Sequence, residues 1–465
     1  MVRTRRLNQT PSLISLTWPI FVETLLQMLI NNADQMMIAT ISDNAVAAVG
    51  NVNQIMNMIT IAFGVISTAT TILVSQYIGA EQQKRLPELY TCALFFNITV
   101  GVALSVLLIS LRGPFFQMLH LGPDLAPDAT SYLNIVSVSL CFQAAFGTFS
   151  AIFRSNGFVK STMYISTLTN LINIAGNALL IFGWFGLPKM GAAGVAISTL
   201  ASRFVGVCIA GAVFHRQING RISIRELRPF PFHTLRKLLK IGLPSGGESL
   251  SYSMEQTYLF SLANLFGAYV SATRVYCNII TWLCSIYSIA VSQATQMLVG
   301  QYIGAGKEEE ADRRVMKTLG PALLISIAIS VTIYLSSDVI ISLFTKDPRI
   351  AELTKKVLLA DIFMEVGRTC NIVLIRALQG AGDVRYPVFV GICCMWGIAV
   401  PIAYVLGVVC QMGLVGVWIG MACDETVRGI LFLIRWKRGK WRGKALVRSA
   451  TAEPEAAAEP AETGT

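Results

Sequence analysis

"QYIGA" stands at Gln76–Ala80 and again at Gln301–Ala305, 225 positions later. The same offset pairs Pro19 with Pro244, Glu23 with Glu248, Asn53 with Asn278, Ser67 with Ser292 and Ala69-Thr70 with Ala294-Thr295, without a gap. A chain that repeats at a fixed offset is two copies of one unit, and composition says what that unit is. Of 465 residues, 54% are hydrophobic and only 14% charged. Mean hydropathy is +0.60, outside the range of a soluble domain. Apolar runs of about 20 residues, each long enough to cross about 30 Å of hydrocarbon, recur about twelve times between residues 13 and 434.

Each copy carries six such runs. An even number returns the chain to the side on which it began, so the copies run in the same direction and are related by an axis along the membrane normal. The expected fold is an all-α integral membrane protein of twelve transmembrane helices in two pseudo-symmetric parallel six-helix bundles. The boundaries read as an amino terminus at 1–12, bundles at 13–214 and 239–436, a basic linker at 215–238 between them, and a tail at 437–465 that is basic and then disordered. If the amino terminus is cytoplasmic, the great majority of the 37 Lys and Arg fall on that side. The positive-inside rule then places both termini in the cytoplasm of a multi-pass protein of the cell inner membrane. That bias accounts for most of the net charge of +11, so nucleic acid is not an expected partner and the lipid bilayer is. The ten cysteines lie in apolar segments without metal-ligand spacing, and read as small hydrophobes. His120, His215 and His233 all lie outside the spans, which leaves an intramembrane enzyme without a catalytic set. No enzyme activity and no cofactor are expected.

Ionisable side chains in hydrocarbon are costly and are functional candidates by default. Asp34 lies about six residues from the outer end of span one, or about 9 Å at the helical rise. Asn173 and Asn177, one turn apart on one face of span five, and Thr199 in span six sit at similar depth. One carboxylate, two amides and a hydroxyl suit a small hard cation such as Na⁺, or an Asp that alternates between protonated and ionised states. The second half has its own polar set, Glu255, Asp361 and Glu365. There Glu365 and Arg368, and Asp424 and Arg428, stand at ion-pair spacing on their helices. Glu23 and Glu248 each follow a proline by four residues, which suggests a scaffold role at backbone freed by that proline. Met28, Met36, Met37, Met56 and Met58 crowd the first two spans. With Tyr252, Met28, Met36 and Met56 form a candidate adaptable substrate cleft. Gly79 and Gly304 in the repeated pentapeptide are read as helix ends in the left-handed conformation.

The chain resembles the multidrug and toxic compound extrusion family over residues 10 to 436. The resemblance is carried by Pro19, Glu23 and Asp34 in span one, both copies of "QYIGA", "NIAGN" in span five, "GAAGVAIST", "RALQGAGDVRYP" and "GLVGVWIG". It implies a secondary active antiporter exporting amphipathic organic cations or drugs in exchange for Na⁺ or H⁺, by alternating access between the bundles, with Asp34, Asn173, Asn177 and Thr199 as the cation site. Small-molecule organic cations are the implied partners, and a monomer the implied state. Two departures leave the coupling ion open: Asn177 stands where some archaeal relatives have a carboxylate, and Tyr252 where sodium-coupled relatives have a glutamate. The alternative is a flippase for a lipid-linked saccharide or other lipid-like substrate. The count of eight intramembrane acids against four arginines (Arg203, Arg274, Arg368 and Arg428) argues for a cation-favouring cleft instead.

Overall fold

The computed structural model describes residues 12–118, 122, 124–186, 188–218 and 222–447. The stretches 1–11 and 448–465, His120 and the expectation of a disordered tail lie outside them. Twelve membrane-scale helical segments follow in order. In the first half these are α1 (Leu13–Ala39), α2 (Asp43–Gly79), α3 (Leu86–Ser110), α4 (Ala126–Val138 then Leu140–Ser155, bent by 44°), α5 (Val159–Phe182) and α6 (Gly191–Gln217). In the second they are α7 (Phe232–Asn264), α8 (Ala268–Gly304), α9 (Glu308–Leu335), α10 (Pro348–Gly380), α11 (Arg385–Val409) and α12 (Gly413–Lys437). No strand occurs among the described residues.

Eight of these helices, or nine counting bent α4 as one span, are long and apolar enough to cross a membrane. The remaining three, α7, α10 and α12, carry Glu248, Glu255, Asp361, Glu365, Arg368, Arg376, Asp424, Glu425 and Arg428 between them. Their charges lower the hydropathy and face the protein interior, which is how ionisable groups are carried through hydrocarbon. In α11 the helix widens into π turns at Met395–Ala399 and Val405–Val409, on either side of Pro401. A proline removes one backbone donor, and neighbouring turns adjust to it.

The halves meet through α1 against α8, α2 against α7, and α2 against α8 on the pseudo-twofold axis. The two QYIGA copies cross on that axis. A Cβ added at Gly79 would collide with the backbone carbonyl of Gln301, and one added at Gly304 with that of Gln76. Further along, Gly300 packs on Ser75, and Gly242 and Gly246 pack on Val65. Small residues let helix backbones approach where lipid supplies no hydrophobic drive for association.

The expectation of left-handed helix ends at Gly79 and Gly304 is thereby corrected. Both glycines are helical, and the left-handed residues lie two positions on, at Glu81 (φ 57) and Gly306 (φ 72). These turns are closed by Gln82 N–H to Tyr77 O and Lys307 N–H to Tyr302 O, as in a Schellman cap.

Among the described residues, every side-chain hydrogen bond between the halves lies toward this end. Gln76 Nε2 donates to Gly380 O at 2.9 Å, Gln301 Nε2 to Ser155 O at 3.2 Å, and Arg154 to Gln293. The start of the tail joins them. Trp441 stacks on Trp436 with centroids 4.3 Å apart, and Lys444 pairs with Asp383 at 2.7 Å. Leu446 and Val447 donate their N–H groups to Gln76 Oε1 at 2.8 and 3.1 Å and pack into the first half's core. Residues 438–447 therefore link the halves and do not form a free basic tail.

A branched side chain at the crossing should force the halves apart. Overpacking costs about 1–3 kcal/mol, so Gly79→Val is expected to populate a second, open arrangement. Spin labels at the exposed positions Lys84 and Lys307, in a background lacking the exposed Cys208, Cys393 and Cys410, should gain a longer-distance population. An unchanged single distance would show that the contact is not limiting.

Candidate functional site: a carboxylate cage and a charged cavity

The first-half site is assembled by α1, α5 and α6. Half-buried Asp34 accepts from Asn177 Nδ2 at 2.8 Å. Asn173, with its amide nitrogen turned towards Asp34 as its neighbours require, donates to the two carboxylate oxygens at 3.2 and 3.0 Å. Ser198 Oγ donates to the Asn173 backbone carbonyl at 2.7 Å, and Thr199 Oγ1 donates to Val195 O at 2.9 Å. A close approach holds α5 and α6 together, since a Cβ at Gly176 would strike Ser198. Asn177 is fully buried, and its amide oxygen accepts no hydrogen bond. No Lys or Arg forms an ion pair with Asp34 among the described residues. The four residues singled out by depth therefore do converge, with Asn173 and Asn177 on the carboxylate and Thr199 beside Asn173.

The second half encloses a cavity of about 740 Å³, lined mainly by α7, α8 and α10, with α2, α11 and α12 completing the wall. Its wall carries an alternating chain of charges. Glu365 pairs with Arg368 one turn on, Arg368 Nε lies 3.9 Å from Glu425, Glu425 lies 3.4 Å from Arg428, and Arg428 pairs with Asp424. Asn371 Nδ2 donates to Glu425 at 2.6 Å, and Ser285 Oγ to Glu365 at 3.3 Å. Asp361 accepts from Trp418 Nε1 at 3.0 Å. Glu255 is 1% exposed, with one carboxylate oxygen unpartnered. Alternation of sign is what makes such a buried chain tolerable, because each charge has an opposite neighbour.

Other expectations are redistributed. Glu23 is an ion-pair member, 2.8 Å from Arg154 of α4, and no partner of the backbone near Pro19. Tyr252 lines the cavity. Met28 lines a groove between α1 and α8 that shares Asn278 with the cavity. Met56 is 7% exposed and packs in the core of the first bundle, where its neighbours Val52, Ile55 and Ile59 leave it no cleft to face. Met36 is exposed on α1 and lines neither space. Arg154 and Arg376 were missed as site residues, because each lies near the end of a span and counts as a loop cation in a hydropathy reading. Their distance from Gly157 and Gly382, the left-handed residues that close those turns, was the available signal that they are still helical.

The MatE family model matches residues 19–179 and 244–405, one segment in each half. The chain is 40% identical over 439 residues to the uncharacterized transporter YisQ of Bacillus subtilis, covering 94% of this chain and 96% of that one. It is 29% identical over 445 residues to the probable multidrug resistance protein NorM of Thermotoga maritima, covering 94% of each. Among solved structures, one of a multidrug resistance MATE family transporter in an outward-facing conformation superposes with a TM-score of 0.85 at 21% identity, over 92% of this chain and 95% of that one. A MOP superfamily transporter from Pyrococcus furiosus, whose binding pocket is described as having reverse polarity, gives 0.84 at 22% over the same shares. At these identities the structural likeness shows the fold.

Removing one member of the charge chain should unmask its neighbours. Arg428→Met leaves buried Asp424 without its cation and Glu425 with only the more distant Arg368, and is expected to cost about 3–5 kcal/mol. Thermal unfolding in detergent should show a large loss, most of it restored by adding Asp424→Leu. An unchanged midpoint for the single variant would mean that the chain is not structural.

Proposed function

Because the chain belongs to the MatE family, the multidrug and toxic compound extrusion transporters, we propose that it is a secondary active antiporter exporting amphipathic organic molecules in exchange for Na⁺ or H⁺ bound at Asp34. The carrying observation is the Asp34 carboxylate enclosed by two asparagine amides, with the buried oxygen of Asn177 left without a donor. Turning either amide over presents a carbonyl oxygen beside the carboxylate, which with the Thr199 hydroxyl makes an oxygen set for Na⁺. Protonation of Asp34 instead makes it a donor, which one of those oxygens can accept. Either event rewires the contacts among α1, α5 and α6. An ion that binds one packing of these helices more tightly than another shifts the equilibrium between them by its differential affinity and no more.

Orientation follows the charge. Basic residues crowd the end at which Gln76 and Gln301 cross, which supports placing that end and both termini in the cytoplasm of the inner membrane. The sealed contact is then the cytoplasmic gate, and the cavity belongs to an outward-facing state. MatE membership and the multidrug resistance names of relatives such as NorM support drug-like substrates.

The test uses purified protein reconstituted in vesicles with an imposed Na⁺ or pH gradient and a fluorescent organic cation. Uptake should collapse when one of the two gradients is removed, which identifies the ion, and should fall at least about tenfold in Asp34→Asn while the protein stays folded. Wild-type flux from a folded Asp34→Asn protein would refute the assignment.

A further inference from the structure

In the first half Glu23 of α1 and Arg154 of α4 are closed on each other at 2.8 Å, and Arg154 also donates to Gln293 of α8. The repeat carries α1 onto α7 and α4 onto α10. It places Glu248 at the position of Glu23, and puts Arg376 one turn before Gln379, the counterpart of Arg154. This second pair is open. Both side chains line the 740 Å³ cavity, and neither has an ion-pair partner among the described residues, whereas Arg368 and Arg428 beside them do. The only side-chain hydrogen bond of Arg376 among the described residues is to Gln379 Oε1 at 3.5 Å. Arg376 lies one turn from Gly380, whose carbonyl accepts from Gln76 across the sealed contact, so the open pair stands near the closed end of the cavity.

We propose that Glu248 and Arg376 are the two poles of a substrate site, and that the exported compound is an amphipathic zwitterion, carrying a carboxylate or similar planar anion as well as a cationic group. The inference rests on the export function proposed above and names its substrate class. A compound with a cation alone leaves the Arg376 guanidinium unpaired and is repelled by it, and an anion alone does the same to Glu248. A zwitterion satisfies both. Its anion takes the guanidinium fork, which matches a carboxylate in two parallel hydrogen bonds, and its cation takes Glu248. The aromatic body between them has Tyr252 and Trp282 of the same wall to lie against. The volume is that of a drug-sized site. The closed pair in the first half joins the counterparts of Glu248 and Gln379; in the second half the arginine stands one turn earlier, and both charged groups face the cavity.

The experiment measures binding to the full-length protein in detergent, without a gradient, of rhodamine B and of its ethyl ester. The two dyes share one delocalised cation, and only the first carries a free carboxylate at neutral pH. Wild-type protein is expected to bind rhodamine B at least about tenfold more tightly than the ester. The preference should collapse towards unity in Arg376→Gln and survive in part in Arg376→Lys, which keeps the charge and loses the fork. Because the ratio is read on one preparation, loss of folded protein lowers both signals and leaves it unchanged. Equal or tighter binding of the ester, a ratio untouched by Arg376→Gln, or no binding of rhodamine B would each overturn the proposal. If instead Glu248 and Arg376 only pair with each other when the halves rearrange, both dyes change together and the ratio stays fixed, which also overturns it. A failed gradient test at Asp34 leaves this ratio standing, and the converse holds.

Discussion

Two long helices cross on the pseudo-twofold axis at the one place where neither has a side chain, and each backbone fills the space that the other leaves. Gly79 rests on Gln301 and Gly304 on Gln76. Lipid cannot drive helices together as water does, so the association of the halves depends on close van der Waals fit and on hydrogen bonds between them. Both are concentrated here. The two glutamines that flank the crossing reach in opposite directions, Gln76 to Gly380 and the 446–447 backbone, and Gln301 to Ser155. A seal formed by such a fit is bistable, because packed interfaces either interlock or separate and do not deform continuously. That property is what the proposed alternating access requires.

The two halves share a scaffold and divide the chemistry. In the first, a single carboxylate is held by neutral amides, and the ion pair below it is closed. In the second, acids and arginines alternate along the cavity wall and one Glu–Arg pair remains open. A lone carboxylate among amides responds to a small cation or a proton. An open pair of opposite charges responds to a larger molecule that can bridge it. Under the proposed function, divergence of these few intramembrane groups between the two copies would let ion and substrate act on one rigid-body equilibrium from separate places.

Much of this was legible in the sequence. The ungapped offset gave the number and direction of the bundles, and span depth alone brought Asp34, Asn173, Asn177 and Thr199 to one level. The ion pairs of Glu365 with Arg368 and of Asp424 with Arg428 followed from helical spacing. What escaped was what depends on contact across the repeat. A glycine at a helix end has two uses, freedom of backbone and absence of bulk, and only the partner helix shows that Gly79 and Gly304 serve the second. Arg154 and Arg376 fall within about one turn of a loop, where hydropathy cannot tell a cation bound for water from one turned inward. Counted among the loops, they made the spans look more acidic than they are, and Arg376 in particular belongs to the wall of the second-half cavity. Met56 is a softer case, since an adaptable side chain suits a core as well as a cleft, and burial alone decides between them.

The central claim is that occupancy of Asp34 sets the balance between the sealed arrangement and an opened one. Distance distributions between spin labels at the exposed positions Lys84 and Lys307 test it directly, recorded across a Na⁺ titration at fixed pH and a pH titration without Na⁺. The account predicts that one of the two titrations moves the distribution in the otherwise native sequence, and that neither moves it in Asp34→Asn. A distribution that shifts to the same extent in Asp34→Asn would place the coupling elsewhere and contradict the account.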